Sequence, residues 1–318
     1  MKIFRKQRAI GLDISAGVVR VLVLEGTSEK ARITATGTAP IAGGGDGAVS
    51  AQAIHAALAA ARVDGEPVVA AVGGPEVVVR QITLPPMPAD RVLQALELQH
   101  KDFGLLPPSE GLLDAQILRR SETECQVLAV SAPRPAIEAR LRLLEQAAVD
   151  VRNLDVEALA LLNAVLHLSE FDPRELLVAL DLAKDRTILC LLSERGPVVV
   201  RYLDVGASAI VEAPEDSDTG PAGQPSRDAI RRIADEIRLS LSFYRSEYDR
   251  ESLPRYLLSG CLRVRRLNRW LTDELRLDSP FEVLDPFQAV RVTGPRGQAE
   301  ESAGPEFVQA FGLALRAL

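Results

Sequence analysis

Residues Ala9–Glu25 read AIGLDISAGVVRVLVLE, two apolar stretches separated by a turn of small residues. Ala9–Ile14 and Val18–Leu24 are rich in Val, Ile and Leu, which is typical of β-strands. Asp13 lies at the end of the first predicted strand, before the turn Ser15–Gly17. Free N–H groups in such a turn can bind phosphate oxygens, and the carboxylate can bind metal-coordinated water. The hairpin is therefore a candidate metal–phosphate site, and the alternative is a plain structural turn.

A second stretch repeats this plan past the middle of the chain. Leu177–Ser193 reads LVALDLAKDRTILCLLS, again an apolar strand, an Asp, a polar turn and an apolar strand. Asp181 stands where Asp13 stands in the first copy. Two copies of one hairpin in 318 residues predict two similar domains. The two Asp residues are then either metal-shell carboxylates or inherited turn formers.

The composition is that of a globular chain, 47% hydrophobic and 25% charged. A net charge of −7 and only 4% aromatic residues disfavour nucleic-acid binding. Three scattered Cys and three scattered His residues predict neither a disulfide framework nor a His-based metal site.

No apolar run reaches transmembrane length and no signal peptide is evident, so we expect a cytoplasmic protein. The basic segment Met1–Arg8 would contact anionic lipid or form a solvated terminus.

The order of predicted elements places an insertion inside the first domain. After the hairpin come a strand, a helix over Ala51–Arg62 with Ser50 as its N-cap, and a short strand. Val77–Leu154 then reads strand, helix, strand, strand, helix, strand, which predicts a small α+β module. An apolar helix over Asp155–Leu168 leads to the second hairpin. We assign the first domain to 9–76 with 153–172, the module to 77–152 and the second domain to 173–318.

The second domain contains one segment of different composition. Ala213–Ser226 is rich in Pro, Gly, Ser and acidic residues, and it is predicted to be a disordered loop. Amphipathic helices are predicted over Arg227–Tyr248 and Arg263–Arg276, and a closing helix over Glu306–Ala317.

Six short motifs occur in order along the chain: GLDISAGVVR (Gly11–Arg20), ITLPPMP (Ile82–Pro88), RNLDVEALAL (Arg152–Leu161), EIRLSLSFY (Glu236–Tyr244), LSGC (Leu258–Cys261) and PEFVQAFGLALR (Pro305–Arg316). Together they resemble the PilM family of type IV pilus assembly proteins, which are actin-like and FtsA-like, over nearly the whole chain. The resemblance implies an α/β, actin-like fold of two duplicated RNase H-like domains with an FtsA-like inserted α+β module. The family's helical subdomain in the second half is largely deleted here, because only Ala213–Ser226 stands in its place.

The resemblance also implies a Mg-ATP site between the two hairpins. It would use Asp13 and Asp181 as metal-shell residues. The implied cofactor-binding residues are Asp13, Ser15, Gly17, Arg20, Asp181, Thr187, Ser259 and Gly260. Glu157 matches a Glu of the family's interdomain helix, which either orders a water or is a charge at a helix start.

Departures from the family pattern predict that Mg-ATP binding is weak or lost. Ser15 replaces a Gly, and Ala183 and Arg186 crowd the second turn, although Arg186 could instead pair with phosphate. Cys261 and the bulky Leu262 narrow the purine slot, and Cys261 is interpreted as a packed residue. Without the helical subdomain the cleft would also be open to water.

The resemblance implies a scaffold at the inner membrane rather than an enzyme. Its partner would be the N-terminal tail of a PilN-like membrane protein, bound in a groove beside the inserted module. Two alternatives stay open, an active actin-like ATPase and a cytoplasmic domain similar to GspL of type II secretion. Self-association, as in other actin-like proteins, is also open.

Overall fold

The computed structural model describes residues 8–42, 47–194, 196–210, 226–248, 252–260, 267–293 and 301–318. Several predictions lie wholly or mostly outside these residues: the basic segment 1–8, the loop 213–226, Cys261 with Leu262, and the start of the helix predicted over 263–276. Of the basic segment only Arg8 is described, and it pairs with Glu66. Within the described ranges, no helix is both long and apolar enough to cross a membrane.

The first half of the chain contains eight strands and four α-helices among the described residues. Its elements are β1 (Arg8–Ser15), β2 (Val18–Glu25), β3 (Arg32–Pro40), α1 (Gly47–Ala60), β4 (Val68–Val72), β5 (Val78–Leu84), α2 (Ala89–Leu98), β6 (Gly111–Arg120), β7 (Cys125–Pro133), α3 (Arg134–Gln146), β8 (Val151–Val156) and α4 (Glu157–Leu168).

The second half begins with the second hairpin. Its elements are β9 (Glu175–Leu182), β10 (Thr187–Leu192), β11 (Val199–Leu203), α5 (Ala207–Ile210), α6 (Arg227–Glu247), β12 (Leu253–Gly260), α7 (Leu267–Leu275), β13 (Glu282–Val283), α8 (Pro286–Ala289), β14 (Arg291–Val292) and α9 (Val308–Leu315), with 3₁₀ helices at Ser28–Lys30 and Glu301–Phe307.

Three helices begin at residues other than those predicted. The closing helix is α-helical only from Val308, and a 3₁₀ helix over Glu301–Phe307 precedes it. α1 begins at Gly47, so Ser50 is a buried residue inside the helix and is not its N-cap. α4 begins at Glu157 rather than Asp155, because β8 continues through Val156 and pairs there with β4. In α4, the apolar pattern predicts that Asp155 and Val156 are helical, but in the structure both residues pair with β4 in the sheet.

Two sheets repeat one arrangement. The six-stranded sheet has the order β14-β3-β2-β1-β4-β8, and the five-stranded sheet has the order β11-β10-β9-β12-β13. Each contains an antiparallel hairpin whose first strand is parallel to a later strand, β4 in one sheet and β12 in the other. The duplicated α/β architecture predicted from the two Asp hairpins is therefore confirmed.

The inserted module is built on a third sheet, with the order β5-β7-β6. Helix α2 covers one face, where Leu96 and Val127 lie in a separate apolar cluster. The last strand of the module predicted over Val77–Leu154 instead pairs with β4 in the six-stranded sheet. Helix α3 likewise packs on the first domain, with Leu144 in that core. The reason is topological, since the parallel strands β4 and β8 require a crossover helix, and α3 provides it.

Helices α4 and α9 pack against each other in a core that both large sheets share. A Cβ atom on Gly312 would lie 1.9 Å from the carbonyl oxygen of Ala160 in α4. A Cβ atom on Gly11 in β1 would lie 1.9 Å from the carbonyl oxygen of Ala310 in α9. Only Gly permits these backbone approaches, so α9 is held tightly against both α4 and β1.

Gly312→Ala should lower the free energy of unfolding by about 2–3 kcal/mol, because the new methyl group overlaps backbone that cannot move cheaply. This loss outweighs the gain of about 1 kcal/mol in helix propensity. Gly104→Ala is the control, because Gly104 has a φ of +63° but nothing within 4 Å of the new Cβ. It should cost only the backbone strain of about 1 kcal/mol. Urea unfolding of both variants measures the difference, and equal losses would contradict the tight α4–α9 contact.

Candidate functional site

The two-residue turn Ala16–Gly17 connects the two strands of the first hairpin, β1 and β2. Gly17 has a φ of +84°, a left-handed conformation that side chains disfavour. The Ser15 hydroxyl lies 2.8 Å from both carboxylate oxygens of Asp13 and donates to that carboxylate. The hydroxyl predicted to bind a cofactor is thus already hydrogen-bonded within the hairpin.

Arg20 lies opposite Asp13 in the hairpin register. Its Nη1 is 3.7 Å from Asp13 Oδ2, and its Nη2 donates to Glu306 Oε2. All three side chains are largely buried. Asp13 therefore has two protein partners, and Arg20 joins the first hairpin to the segment that precedes α9.

Asp181 occupies the corresponding position in the second hairpin and is buried. Ser259 Oγ donates to its Oδ1 at 2.7 Å, and Gln309 Nε2 donates to its Oδ2 at 3.1 Å. Burial raises the pKa of this carboxyl, and the two hydrogen bonds offset part of that rise. Gln309 Oε1 is buried without a hydrogen-bond partner among the described residues.

Thr187 and Gly260 complete the set of residues predicted around the second hairpin. Thr187 is buried, and its hydroxyl donates to the carbonyl oxygen of Val205 at 2.6 Å. Gly260 ends β12 beside Leu182, the last residue of β9. Of the two, only Thr187 has a polar side chain, and that side chain is bonded to the backbone of its own domain.

Glu157, at the start of α4, forms an ion pair with Arg186 of the second hairpin. Arg186 Nη2 lies 2.6 Å from Glu157 Oε2. Burial raises the pKa of Glu157, while Arg186 and then Arg140 act to lower it. A Cβ atom on Gly73 would lie 1.9 Å from Glu157 Oε2, so the carboxylate packs directly on that backbone.

Two further cations lie beside the first hairpin. Arg140 Nη1 of α3 donates to the carbonyl oxygen of Ile14 at 3.3 Å, and burial lowers the pKa of this guanidinium. Lys184 of the second hairpin lies over the first turn, with its Nζ 3.3 Å from the position of a Cβ on Gly17. The turns of the two hairpins are therefore in contact.

Most of the predicted site residues lie together in the structure. Their polar side chains are already hydrogen-bonded or ion-paired to other groups of the protein. Four acids and four cations meet in the cleft: Asp13, Glu157, Asp181, Glu306, Arg20, Arg140, Lys184 and Arg186. In the described part of the chain, no group of three or more His, Cys, Asp or Glu residues is placed to hold a metal ion. The arrangement offers anion-binding cations and buried ion pairs rather than free carboxylates.

Sequence reasoning missed four of the cleft residues. Glu306 and Gln309 lie inside the PEFVQAFGLALR motif, so that motif was a usable signal for them. Lys184 lies in the turn of the second hairpin, where no pattern distinguishes it from a solvated residue, and Arg140 lies in no motif. They reach the first hairpin only through the tertiary fold, across 126 residues in the case of Arg140 and Ile14.

Asp181→Asn should raise the free energy of unfolding at pH 8 by on the order of 1 kcal/mol, because a buried charge is removed while its hydrogen bonds are kept. Ser259 can still donate to the Asn oxygen, and the Gln309 amide can turn so that its unpartnered oxygen accepts from the Asn amide. The folded-state pKa of Asp181 is raised, so the folded protein binds more protons and wild-type stability falls as pH rises above about 3.8. The gain should therefore be smaller at pH 4 than at pH 8, as measured by urea unfolding.

Asp172→Asn is the matched control. The Asp172 side chain is 38% exposed, and a hydrogen bond from Arg174 lowers its pKa to about 2. Its carboxylate therefore contributes stability above pH 3.8 that is lost as pH falls toward 2, the opposite trend. A uniform effect of Asp181→Asn at every pH would contradict a buried carboxylate of raised pKa.

No family model matches the chain, and no curated protein matches it. Among solved structures it is similar to one described as a PilM–PilN type IV pilus biogenesis complex. The identity is 28% and the TM-score 0.78, over 97% of this chain and 98% of that chain.

Two other solved structures are more distant. The ethanolamine utilization protein EutJ from Carboxydothermus hydrogenoformans is 13% identical with a TM-score of 0.51, over 97% of this chain and 89% of that chain, and it shows the fold alone. A weaker likeness is to the cytoplasmic domain of EpsL, an inner membrane component of the type II secretion system of Vibrio cholerae. The TM-score is 0.38 and the identity 14%, over 68% of this chain and 80% of that chain, which is too low to support an inference about function. The chain thus has the actin-like α/β fold that the resemblance implied, and its resemblance to PilM is confirmed.

Proposed function

We propose that this chain is a cytoplasmic scaffold of a type IV pilus assembly complex and lies at the inner membrane. Its partner is the N-terminal tail of a PilN-like membrane protein, which docks beside the inserted module. The proposal is supported by similarity to the PilM–PilN complex over nearly the full length of both chains. Scaffolding needs a shaped surface and no reaction, which agrees with a cleft whose acids already have partners.

The observation that carries this proposal is the face of the module sheet opposite α2, which packs in part on the shared core and is exposed at Leu112. Leu112, Gln116, Leu128 and Val130 lie on this face, because Gln116 pairs with Leu128 and the neighbouring residues alternate with them. Leu112 is 45% exposed, and Leu128 and Val130 are half-buried. The opposite face is covered by α2. We call the first surface the open module face.

The open module face borders the second domain. The backbone N–H of Val198, just before β11, donates to Gln81 Oε1 of β5 at 3.3 Å. Val200 and Tyr202 of β11 are also partly buried against the shared core. In sheet order β11 is an outer strand of the described five-stranded sheet. An extended peptide bound here would find apolar side chains on one side and a strand edge on the other, the recognition mode of strand addition.

We further propose that the nucleotide site is degenerate. A magnesium ion would have to displace Ser15 and Arg20 from Asp13, or Ser259 and Gln309 from Asp181. At either carboxylate at least one displaced donor is buried (Arg20, or Ser259 and Gln309), and leaving it unsatisfied costs about 1–3 kcal/mol. These costs oppose the binding of Mg-ATP.

A fluorescent peptide with the N-terminal sequence of the PilN-like protein of the same organism should bind the wild-type chain. Leu112→Asp and Leu128→Asp should weaken binding by about tenfold or more, because a charge is placed in an apolar contact. Leu98→Asp is the control, because Leu98 is 78% exposed on α2, which covers the opposite face. Fluorescence anisotropy measures all four affinities.

Unchanged affinity in Leu112→Asp would overturn docking on this face, because Leu112 is exposed and its substitution should not unfold the module. Deletion of the module from 77 to 154 is unsuitable, since it would remove α3 and part of β8 from the first domain. An equal loss in Leu98→Asp would indicate a different docking surface.

Mg-ATP should be hydrolysed by the wild-type chain no faster than by Asp13→Asn, because the carboxylate is already held by Ser15 and Arg20. Phosphate release at millimolar Mg-ATP measures both rates. A wild-type rate that clearly exceeds that of Asp13→Asn would restore the ATPase alternative.

A further inference from the structure

We propose that Asp155 and Asp114 form a subsite for a basic group of the docked tail, and that Arg316 occupies this subsite when no tail is bound. The subsite borders the open module face, so the inference rests on the docking proposed there and specifies the chemistry of the partner. A tail that docks on this face carries a positively charged group close to its apolar side chains.

Asp155 has a carboxylate oxygen that no donor reaches. It is the second-last residue of β8, and its side chain is only 10% exposed. Its Oδ1 accepts a hydrogen bond from the backbone N–H of Val156 at 2.8 Å, whereas Oδ2 is buried without a hydrogen-bond partner among the described residues. Burial raises the pKa of this carboxyl. Buried carboxylate oxygens normally accept hydrogen bonds, so this site lacks a donor.

Asp114 places a second acid beside Asp155. It lies on the open module face, between Leu112 and Gln116 along β6. Its Oδ1 accepts a hydrogen bond from the backbone N–H of Ala115 at 2.8 Å, and the side chain is exposed. The charge of Asp114 acts on Asp155 and disfavours its ionised form. A cation next to both carboxylates would remove that repulsion.

Arg316 is the described cation that acts on Asp155, and it is held loosely. It follows α9, and its Nε lies 3.7 Å from Asp155 Oδ2, which is too far for a hydrogen bond. The Arg316 side chain is 52% exposed. A half-exposed guanidinium at this distance contributes little to stability, and it can move into solvent without becoming a buried, unpaired charge. A basic group of the tail can then take its place and donate to Oδ2.

The arrangement favours an N–H cation of a peptide over a metal ion. In the part of the chain that the structure describes, no three His, Cys, Asp or Glu residues are placed to hold a metal. A single buried oxygen with one acid beside it instead suits an ammonium or guanidinium group. Leu112, next but one to Asp114 along β6, is 45% exposed and offers the apolar contact of the same peptide. The charge and the apolar contact are therefore adjacent on one surface.

The test measures the affinity of the full chain for the fluorescent tail peptide by anisotropy. Asp155→Asn should weaken binding about tenfold, the value of one charge-assisted hydrogen bond. Arg316→Gln should tighten binding about threefold, because it removes the group that competes for Oδ2. Asp90→Asn is the control and should leave the affinity unchanged. It removes one negative charge from an exposed position of α2, which covers the opposite face of the module.

Variants of the peptide identify the basic group. Each Lys or Arg of the peptide is replaced by Gln in turn, and a further peptide has an acetylated amino terminus. The group that occupies the subsite is the one whose loss weakens binding to the wild-type chain but not to Asp155→Asn, since the two changes then remove the same interaction. If no peptide variant shows this coupling, the proposal is wrong.

The outcome for the subsite is distinguishable from the outcome for docking itself. If Leu112→Asp weakens binding while Asp155→Asn and Arg316→Gln leave it unchanged, the tail docks without the subsite. If Leu112→Asp has no effect, or the peptide does not bind, both proposals fail. An equal loss in Asp90→Asn indicates attraction to the overall negative charge and overturns the subsite.

Thermal unfolding of each variant without peptide shows whether it is folded. If Asp155→Asn does not fold, Arg316→Gln decides the outcome, because its side chain is half exposed and its replacement should not unfold the chain. Unchanged or weaker binding in Arg316→Gln would then contradict its role as the group that the tail displaces.

Discussion

The contact between Gly312 and the backbone of Ala160 constrains much of the rest of the structure. It sets the depth at which α9 lies in the core shared by the two large sheets. One turn earlier on the same helix, Gln309 reaches Asp181, and just before the helix Glu306 reaches Arg20. A shift of α9 would therefore break one hydrogen bond in each half of the cleft. Packing of two backbones thus determines the geometry of a polar site.

The buried charged side chains of the cleft are paired with other groups of the protein. Buried carboxylates are costly unless they are paired, and each one here has a donor from another element of the fold. The pairs Arg20–Glu306 and Arg186–Glu157 connect elements that are distant in sequence. Such pairs contribute less to net stability than to holding one arrangement of the two domains. That property suits a scaffold, which must present a constant surface to its partner.

The sequence was sufficient to predict what local pattern and repetition encode. Both hairpins, their Asp residues and the duplicated architecture follow from apolar periodicity and one internal repeat. The pairing of the module's last predicted strand with β4 could not be predicted, because the two strands are about 80 residues apart and no local pattern marks the pairing. The contact of Arg140 with Ile14 could not be predicted for the same reason, because it depends on where α3 packs and not on the neighbours of Arg140 in the chain. The cofactor residues stay a prediction, since the structure places them without testing what they bind.

The position of the module within a crossover has an evolutionary consequence. β4, α3 and β8 form a complete parallel unit, and β5, α2, β6 and β7 are looped out before the crossover helix. Apart from the residues that pack on the shared core (Val77, Val79, Leu128, Val130 and Ala132), those looped-out elements can change without altering any pairing of the large sheets. Selection can therefore act on partner choice and on folding through nearly separate sets of residues. A lineage could acquire a new binding specificity by exchanging one contiguous stretch of its gene.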